Sequence, residues 1–180
     1  MARLPRYYIN NQPQHILLQS VGDAEVFHDP DDYDYYRDCL AYAAENNDLK
    51  IHAYAIMPTH VSILASPDND NSISRTLQSV GRNYVQYYNY YYEHKGTLWE
   101  GRYRATVVDP KNYLLLCSQY IETKPVRTGT VKNPKDYKWS SYSHNGLGKN
   151  SEIISDHKTY GALGKTAKDR AAAYRAMMKK

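Results

Sequence analysis

The chain has 180 residues, enough for a single domain with its own hydrophobic core. Its 23 basic and 19 acidic residues give a net charge of +4, and its longest apolar runs are far too short for a transmembrane helix. No apolar block of a secretory signal follows the N-terminus, and the two cysteines lack metal-ligand spacing, so we expect a cytoplasmic protein with reduced thiols.

The charge is unevenly distributed along the chain. Residues 21–50 hold nine acids and two bases, residues 75–138 eleven bases and five acids, and residues 165–180 six bases and one acid. Such asymmetry indicates either a polyanionic partner at the basic face or a solvated surface without a partner, and composition leaves both open. Twenty tyrosines against one phenylalanine are compatible with both, because tyrosine fills cores and also stacks on bases.

The first predicted elements are a strand and an acidic helix. Residues 14–19 predict the strand. Asp29 and Pro30, followed by further acids, predict the start of a helix that runs from about Tyr33 to Asn46. Three apolar side chains of this helix are expected to face inward: Leu40, Ala43 and Ala44.

A β-hairpin is predicted next. Residues 51–57 alternate in polarity, residues 58–59 interrupt them, and residues 60–66 predict the returning strand. Because side chains alternate between the two faces of a strand, His60 and Ser62 are expected on the same face.

Two more helices and a strand complete the predicted core. Residues 73–94 predict a long helix that Gly96 closes, and residues 103–108 predict a strand. Asp109, with Pro110 after it, predicts the start of a helix that ends before Pro125. The order of elements, with its adjacent hairpin strands, favours an α+β fold: an antiparallel sheet with helices packed on it. A capping-box pattern at 166–169 predicts a further, basic C-terminal helix.

Tyr120 and Lys124 are one helical turn apart and therefore share a face of their helix. A tyrosine that attacks a phosphodiester forms a 5′-phosphotyrosine and frees a 3′-hydroxyl, and it needs positive charge beside the non-bridging oxygens. A divalent ion held by imidazoles and a side-chain oxygen usually supplies that charge. Two histidines separated by one residue on a strand would serve this purpose, because alternation puts both side chains on one face.

Several blocks of the sequence occur together in one family. They are Met57–Leu64 (MPTHVSIL), Gln78–Arg82 (QSVGR), Gly96–Arg104 (GTLWEGRYR), Tyr120–Glu122 (YIE), Pro125–Arg127 (PVR) and Trp139–Tyr142 (WSSY). In this order and spacing they resemble the HUH single-tyrosine transposases, and more closely the REP-associated tyrosine transposases within the insertion-sequence transposase-like superfamily. The resemblance runs from about Arg3 to Leu147. It implies a ferredoxin-like sheet of the HUH type over residues 1–148, with residues 149–180 as an extension that carries the basic helix.

By this resemblance Tyr120 is the nucleophile, and positions 60, 62 and 124 are the metal-ligand positions for Mg²⁺ or Mn²⁺. Only His60 keeps the expected ligand type. Ser62 is a poorer ligand than an imidazole, and the ammonium of Lys124 has no lone pair to offer. We therefore expect weak metal occupancy, and the sequence leaves open whether the protein is still an enzyme.

The basic segment supplies the expected DNA contacts, namely Arg82, Lys95, Arg102, Arg104 and Arg127. The sequence equally allows Arg102, Arg104 and Arg127 to pair with the acidic helix. We expect Trp99 to be a packing anchor rather than a base-stacking platform, and His15 and His52 to be structural.

Three functional hypotheses remain at this stage. The first is a DNA-binding transposase-family protein, monomer or homodimer, that recognises hairpin or palindromic single-stranded DNA and whose nicking is impaired by Ser62 and Lys124. The second is a non-catalytic, domesticated regulator of repeated hairpin elements. The third is a relic that binds nothing specifically.

Overall fold

An antiparallel sheet organises the fold. The computed structural model describes Ile9 and residues 11–179, in which the strands β1 (Gln14–Gln19), β2 (Leu49–Met57), β3 (His60–Pro67) and β4 (Arg104–Val107) lie in the order β2-β3-β1-β4. The predicted hairpin is the β2–β3 pair. The α+β class predicted from the sequence is confirmed.

The strand registers determine which side chains share a face. Gln19 of β1 lies opposite His60 of β3, and Leu17 lies opposite both Ser62 of β3 and Arg104 of β4. Residues directly opposite one another in an antiparallel pair lie on the same face. The five residues therefore share one face of the sheet, which we call the site face, and the predicted placement of His60 with Ser62 is confirmed.

The other face is covered by two long helices, α1 (Pro30–Asn46) and α2 (Ser72–Tyr91). The predicted start of α1 is confirmed by the Asp29 amide, which donates to the Asp32 carboxylate at 3.1 Å. The apolar side chains that make up this core are fully buried, and each contributes about 1.5–3 kcal/mol to stability. They include Ile16, Leu40, Val61, Ile63 and Val80. Ala43 and Ala44 are buried as predicted.

The tyrosine-rich stretch of α2 is mostly packing. The buried carboxylate of Asp32 accepts hydrogen bonds from the hydroxyls of Tyr87 at 2.8 Å and Tyr92 at 2.5 Å. Burial alone would raise the pKa of Asp32, but hydrogen bonds from Tyr92, two backbone amides and Tyr87 lower it overall. Tyr90 and Tyr91 point to solvent instead.

The helix α3 (Leu114–Glu122) lies on the site face, where its Leu114 and Ile121 pack against Ala53, Ala55 and Leu64. The small alanines allow the helix to approach the strands closely. In the described residues no helix combines the length and the apolarity that a membrane span requires.

The predicted start of this helix is wrong, and its predicted end is confirmed. It begins at Leu114 rather than at Asp109, because the Asp109 carboxylate instead closes a turn by accepting from the Lys111 amide at 3.0 Å. The helix ends at Glu122, before Pro125 as predicted. Pro125 itself lies in the first turn of a separate short helix, α4 (Lys124–Arg127), where its missing N–H leaves no bond unmade. The helix predicted for residues 73–94 ends sooner, at Tyr91.

The last part of the chain contains α5 (Tyr142–Asn145), α6 (Lys158–Gly161) and α7 (Ala167–Met178). The predicted cap is confirmed, because the Thr166 hydroxyl accepts from the Asp169 amide at 3.1 Å. This segment also contacts the sheet, where the Ser155 amide donates to the Ile51 carbonyl at 2.7 Å. The division after residue 148 stays a prediction.

Candidate active site

Tyr120 lies at the solvent-facing margin of α3. Its side chain is 54% exposed, although its neighbour Ile121 is fully buried against the sheet. The Tyr120 ring meets the His15 ring edge-on, with centroids 6.4 Å apart and an interplanar angle of 79°. The phenol is therefore accessible from solvent, and its ring is held above the site face.

His15 belongs to this site, although the sequence analysis expected a structural role for it. It lies in β1 opposite Leu64 and Thr106, so its side chain is on the site face. The alternation of residues 14–19 places His15 on one face with Leu17, but the sequence gives no sign that this face is the one α3 covers.

Lys124 lies near both histidines. The pKa of His60 falls to about 4, first because burial disfavours the charged ring and second because the positive charge of Lys124 repels the added proton. The pKa of His15 is lowered by the same two causes in the same order. Both rings are therefore neutral at pH 7, and Lys124 is the cation they share.

The two imidazoles carry unused polar atoms. Nε2 of His60 and Nε2 of His15 are buried and find no hydrogen-bond partner among the described residues, whereas Nδ1 of His60 lies 3.1 Å from the Thr59 hydroxyl. Buried polar atoms are normally paired, so unpaired ones indicate a strained or functional site. Here they lie on the sheet face that α3 covers.

The three expected metal positions come together, but their side chains do not fit a divalent ion. His60 and Ser62 share the site face and Lys124 acts on His60, so the set comprises one imidazole, one hydroxyl and one ammonium. Within the described residues, no group of three or more His, Cys, Asp or Glu side chains could hold a metal. His15 cannot complete the set, because its register partner Leu64 is four residues from His60, roughly 13 Å along an extended strand.

Arg127 covers the ring of Tyr120. Its guanidinium carbon lies 4.1 Å from the ring centroid, and its Nη1 donates to the Thr123 hydroxyl at 2.5 Å. A cation over an exposed aromatic ring contributes about 0.5–1 kcal/mol. The contact orients the phenol and places a second positive charge beside it.

The remaining predicted DNA contacts divide between the two sides of the sheet. Arg104 is exposed and lies on the site face, whereas Arg82 is exposed on α2, which covers the other face. Arg102 is exposed just before β4, and Lys95 is exposed in the turn after α2. The alternative pairing with the acidic helix is absent, since none of Arg102, Arg104 and Arg127 forms an ion pair with an acid of residues 11–179. Asp34 of that helix pairs with Arg37 and Lys138 instead.

Glu122 is a second residue whose role the sequence did not reveal. It is fully buried, and its Oε1 accepts from the Ser141 hydroxyl at 2.5 Å and from the Asn145 amide at 2.6 Å. Its Oε2 accepts from the Tyr174 hydroxyl at 2.6 Å. Burial raises the pKa of Glu122 to about 7, although these hydrogen bonds oppose the rise. Glu122 thus joins the tyrosine-bearing helix to α5 and α7.

His52 and Trp99 both make packing contacts, as expected, and these contacts leave the Trp99 side chain only half-buried. The two ring nitrogens of His52 lie 2.7 Å from the Ser155 carbonyl and 2.7 Å from the Ser66 hydroxyl. The Trp99 indole packs on the core rings of Phe27 and Tyr36, with centroid distances of 6.2 Å and 6.1 Å.

Comparison with known proteins agrees with this fold. The structure of a REP-associated tyrosine transposase bound to a REP hairpin matches with a TM-score of 0.67 and 17% identity, over 87% of this chain and 93% of that chain. A putative transposase from Deinococcus radiodurans R1 matches with 21% identity over 68% of this chain and 98% of that one, but its TM-score of 0.47 is too low to support an argument. No curated protein matches the chain in sequence.

The family assignment rests on the sequence model of the family described as "Transposase IS200 like", which matches residues 8–124. That range is well over half of the 180 residues and includes His60, Ser62, Tyr120 and Lys124. The predicted resemblance to the tyrosine transposases is confirmed, and the chain belongs to the IS200-like transposase family.

Proposed function

We propose that this transposase-family protein binds single-stranded DNA that folds into hairpins, with a backbone phosphate held between Tyr120, Lys124 and Arg127. The observation that carries the proposal is a half-exposed phenol covered by the Arg127 guanidinium, with the Lys124 charge acting on His60, whose Nε2 has no hydrogen-bond partner among the described residues. Two further findings support it. Arg104 adds an exposed cation on the same face, and a protein of the same fold has been solved with a REP hairpin bound.

The residues present support a defined chemistry for Tyr120. Its oxygen would form a bond to phosphorus while the bond from phosphorus to the 3′ oxygen breaks. The phenol proton passes to water, and the departing 3′ oxygen takes a proton from water, leaving a 5′-phosphotyrosine and a 3′-hydroxyl. Lys124 and Arg127 would stabilise the negative charge that develops on the non-bridging oxygens.

Metal dependence is where this chain would differ from its family, whose HUH members generally use a divalent ion. An ammonium supplies a single charge and cannot coordinate the phosphate oxygens as a Lewis acid does. We therefore infer that nicking is weak and insensitive to Mg²⁺ and Mn²⁺.

A covalent-adduct assay tests this function. Hairpin oligonucleotides with randomised stems and single-stranded flanks are first selected for binding, and the selected DNA is then incubated with the protein and run on a denaturing gel. We expect a faint protein–DNA adduct of equal intensity in EDTA and in Mg²⁺, and none with Tyr120→Phe. An adduct that requires Mg²⁺, or one that persists in Tyr120→Phe, contradicts the assignment.

A second candidate function is a non-catalytic regulator of repeated hairpin elements. It is favoured by Ser62 and Lys124, which remove two of the three expected ligands while the surface cations remain. The same gels separate the two functions, because a regulator shifts the selected hairpin without forming any adduct. Binding that ignores sequence and falls steeply with salt would indicate a relic instead.

A further inference from the structure

A pocket of about 260 Å³ lies on the sheet face opposite Tyr120. Its floor includes Leu18, which lies on the opposite face of β1 from its neighbour Leu17, a site-face residue. Gln78 and Gly81 of α2 line one wall, and Trp99 with residues 101–103 lines the other. Both walls thus come from blocks that carry the family resemblance, and apart from Arg104 these blocks contribute nothing to the surroundings of Tyr120.

Gly81 keeps this pocket open. It lies inside α2 with no positive φ, and, apart from its two chain neighbours and the helix's own backbone, no atom of the described residues lies within 4 Å of a Cβ built on it. Neither backbone conformation nor a close contact therefore requires glycine here. Glycine in a helix interior costs about 1 kcal/mol relative to alanine. Because Gly81 has no side chain, the pocket space above it stays empty.

The lining suits an aromatic ring with polar edges. Trp99 and Tyr103 contribute aromatic surface, and Trp99 is held rigidly because its ring also packs on Phe27 and Tyr36. The side chains of Gln78 and Arg102 supply hydrogen bonds and positive charge. The volume is at the lower end for ligand pockets, which favours a single ring system over a larger ligand.

Positive charge connects the pocket with the site face around the sheet edge. β4 is the edge strand, with Arg104 on the site face and Arg102 in the pocket lining. The one acid between residues 96 and 108 is Glu100, which is exposed. A polyanionic strand that crosses β4 would therefore pass two arginines on its way from Tyr120 to the pocket.

We propose that this pocket, which we call the base pocket, holds one unpaired nucleobase of the single-stranded DNA whose phosphate lies at Tyr120. The base stacks on Trp99, and its flanking phosphates lie at Arg102 and Arg104. Stacking on an aromatic side chain tolerates any base, so the base pocket takes the ring and the cations hold the backbone. The inference rests on the proposed function, since it requires that the protein bind single-stranded DNA.

Gly81→Leu is the variant that tests the base pocket. Leucine favours the helix more than glycine does and its side chain fills the open space, so the variant should fold at least as stably as the parent. Gly81→Ala is the matched control, because it gains the same helix preference with one methyl group. Binding of fluorescein-labelled 20-nucleotide oligothymidylate and oligodeoxyadenylate, and of a 20-base-pair duplex, is measured by anisotropy for both variants and the parent.

We expect Gly81→Leu to bind the single strands about tenfold more weakly than Gly81→Ala, the size of one lost stacking contact, while both bind the duplex equally. In a Trp139→Phe background, single-stranded DNA should quench the Trp99 fluorescence in Gly81→Ala and leave it unchanged in Gly81→Leu. Equal single-strand binding by the two variants overturns the base pocket alone. Failure of the parent to bind any single strand overturns the base pocket together with the proposed function.

Discussion

Lys124 determines the charge of the site. It is partly buried at the start of α4 and acts on His15 and His60, both of which burial has already made reluctant to take up a proton. An imidazole pair that stays neutral leaves the ammonium as the positive charge nearest to these rings. A phosphate at Tyr120 would thus meet a fixed cation with three N–H donors, in place of an ion with open coordination sites.

Removing the positive charge of Lys124 should change the pKa of His60. We expect Lys124→Met to raise the pKa of His60 from about 4 towards its ordinary value of 6.5, but only in part, because burial is the larger cause of the shift. Titration of the imidazole by nitrogen NMR measures this change directly. Lys165→Met, on the exposed C-terminal segment, is the control and should leave the pKa of His60 unaltered. An unchanged value in Lys124→Met would mean that the amine does not lie beside the ring.

At the scale of elements, α3 is held from two sides. The sheet residues Ala53, Ala55 and Leu64 pack beneath it. On the other side, the hydroxyl of Tyr174 in α7 donates to Glu122, and the Tyr174 carbonyl accepts from the side-chain amide of Gln119 at 3.2 Å. The C-terminal segment therefore helps to fix the helix that carries Tyr120, and Glu122 is the ionisable group within that contact.

The buried carboxyl of Glu122 predicts a specific pH dependence of stability. Its pKa is about 7 in the folded state against an ordinary 4.5, so between these values the folded chain keeps a proton that the unfolded chain releases. The free energy of unfolding should therefore fall as pH rises through this window, by roughly 3 kcal/mol in total at about 1.4 kcal/mol per pH unit.

Glu122→Gln should abolish this fall in the free energy of unfolding with pH, because the amide has no proton to release. The amide can still hydrogen-bond to Tyr174. Urea denaturation at several pH values between 4.5 and 8 measures the difference between parent and variant. The exposed acid Glu152, changed to glutamine, is the control and should keep the slope of the parent. Parallel stability curves for parent and Glu122→Gln would show that Glu122 does not hold its proton.

At this scale, the sequence could predict the features that neighbouring residues determine, but not those that tertiary contacts determine. The hairpin and the shared face of His60 and Ser62 follow from alternation and one turn, and both are confirmed. The place of His15 depends on β1 lying between β3 and β4 and on which face α3 covers, so tertiary contacts decide it. The start of α3 was misplaced because a carboxylate after a strand closes a turn as readily as it caps a helix.

Over the whole molecule, the acidic helix α1 and the cations around Tyr120 lie on different sides of the sheet, although Arg82 of α2 shares the side of α1. The acidic stretch of residues 21–50 contains α1, on the face away from Tyr120, while cations lie on the site face and along β4. The composition predicted such an asymmetry but not its geometry, since the basic residues come from segments that only the fold brings together. A field of this shape would guide a nucleic-acid strand towards Tyr120 and be weakened by salt.

The contact between Tyr174 and Glu122 is another feature that only the fold brings about. The Tyr-Ile-Glu motif marked Glu122 as notable, but its three hydrogen-bond donors lie between 19 and 52 residues further along the chain. No local pattern could predict these contacts, because neither a turn nor a period links residues so far apart.

The most direct test of the account is manganese binding by the parent and by the double variant Ser62→His plus Lys124→Asn. Electron paramagnetic resonance counts the bound Mn²⁺, and thermal denaturation with and without Mn²⁺ reports the stabilisation that binding to the folded state must bring. The account predicts no specific Mn²⁺ site in the parent, and one bound ion per chain with a raised Tm in the double variant. A parent that binds one Mn²⁺ as tightly as the double variant, or a folded double variant that binds none, would contradict the claim that Lys124 lies where the family holds its metal.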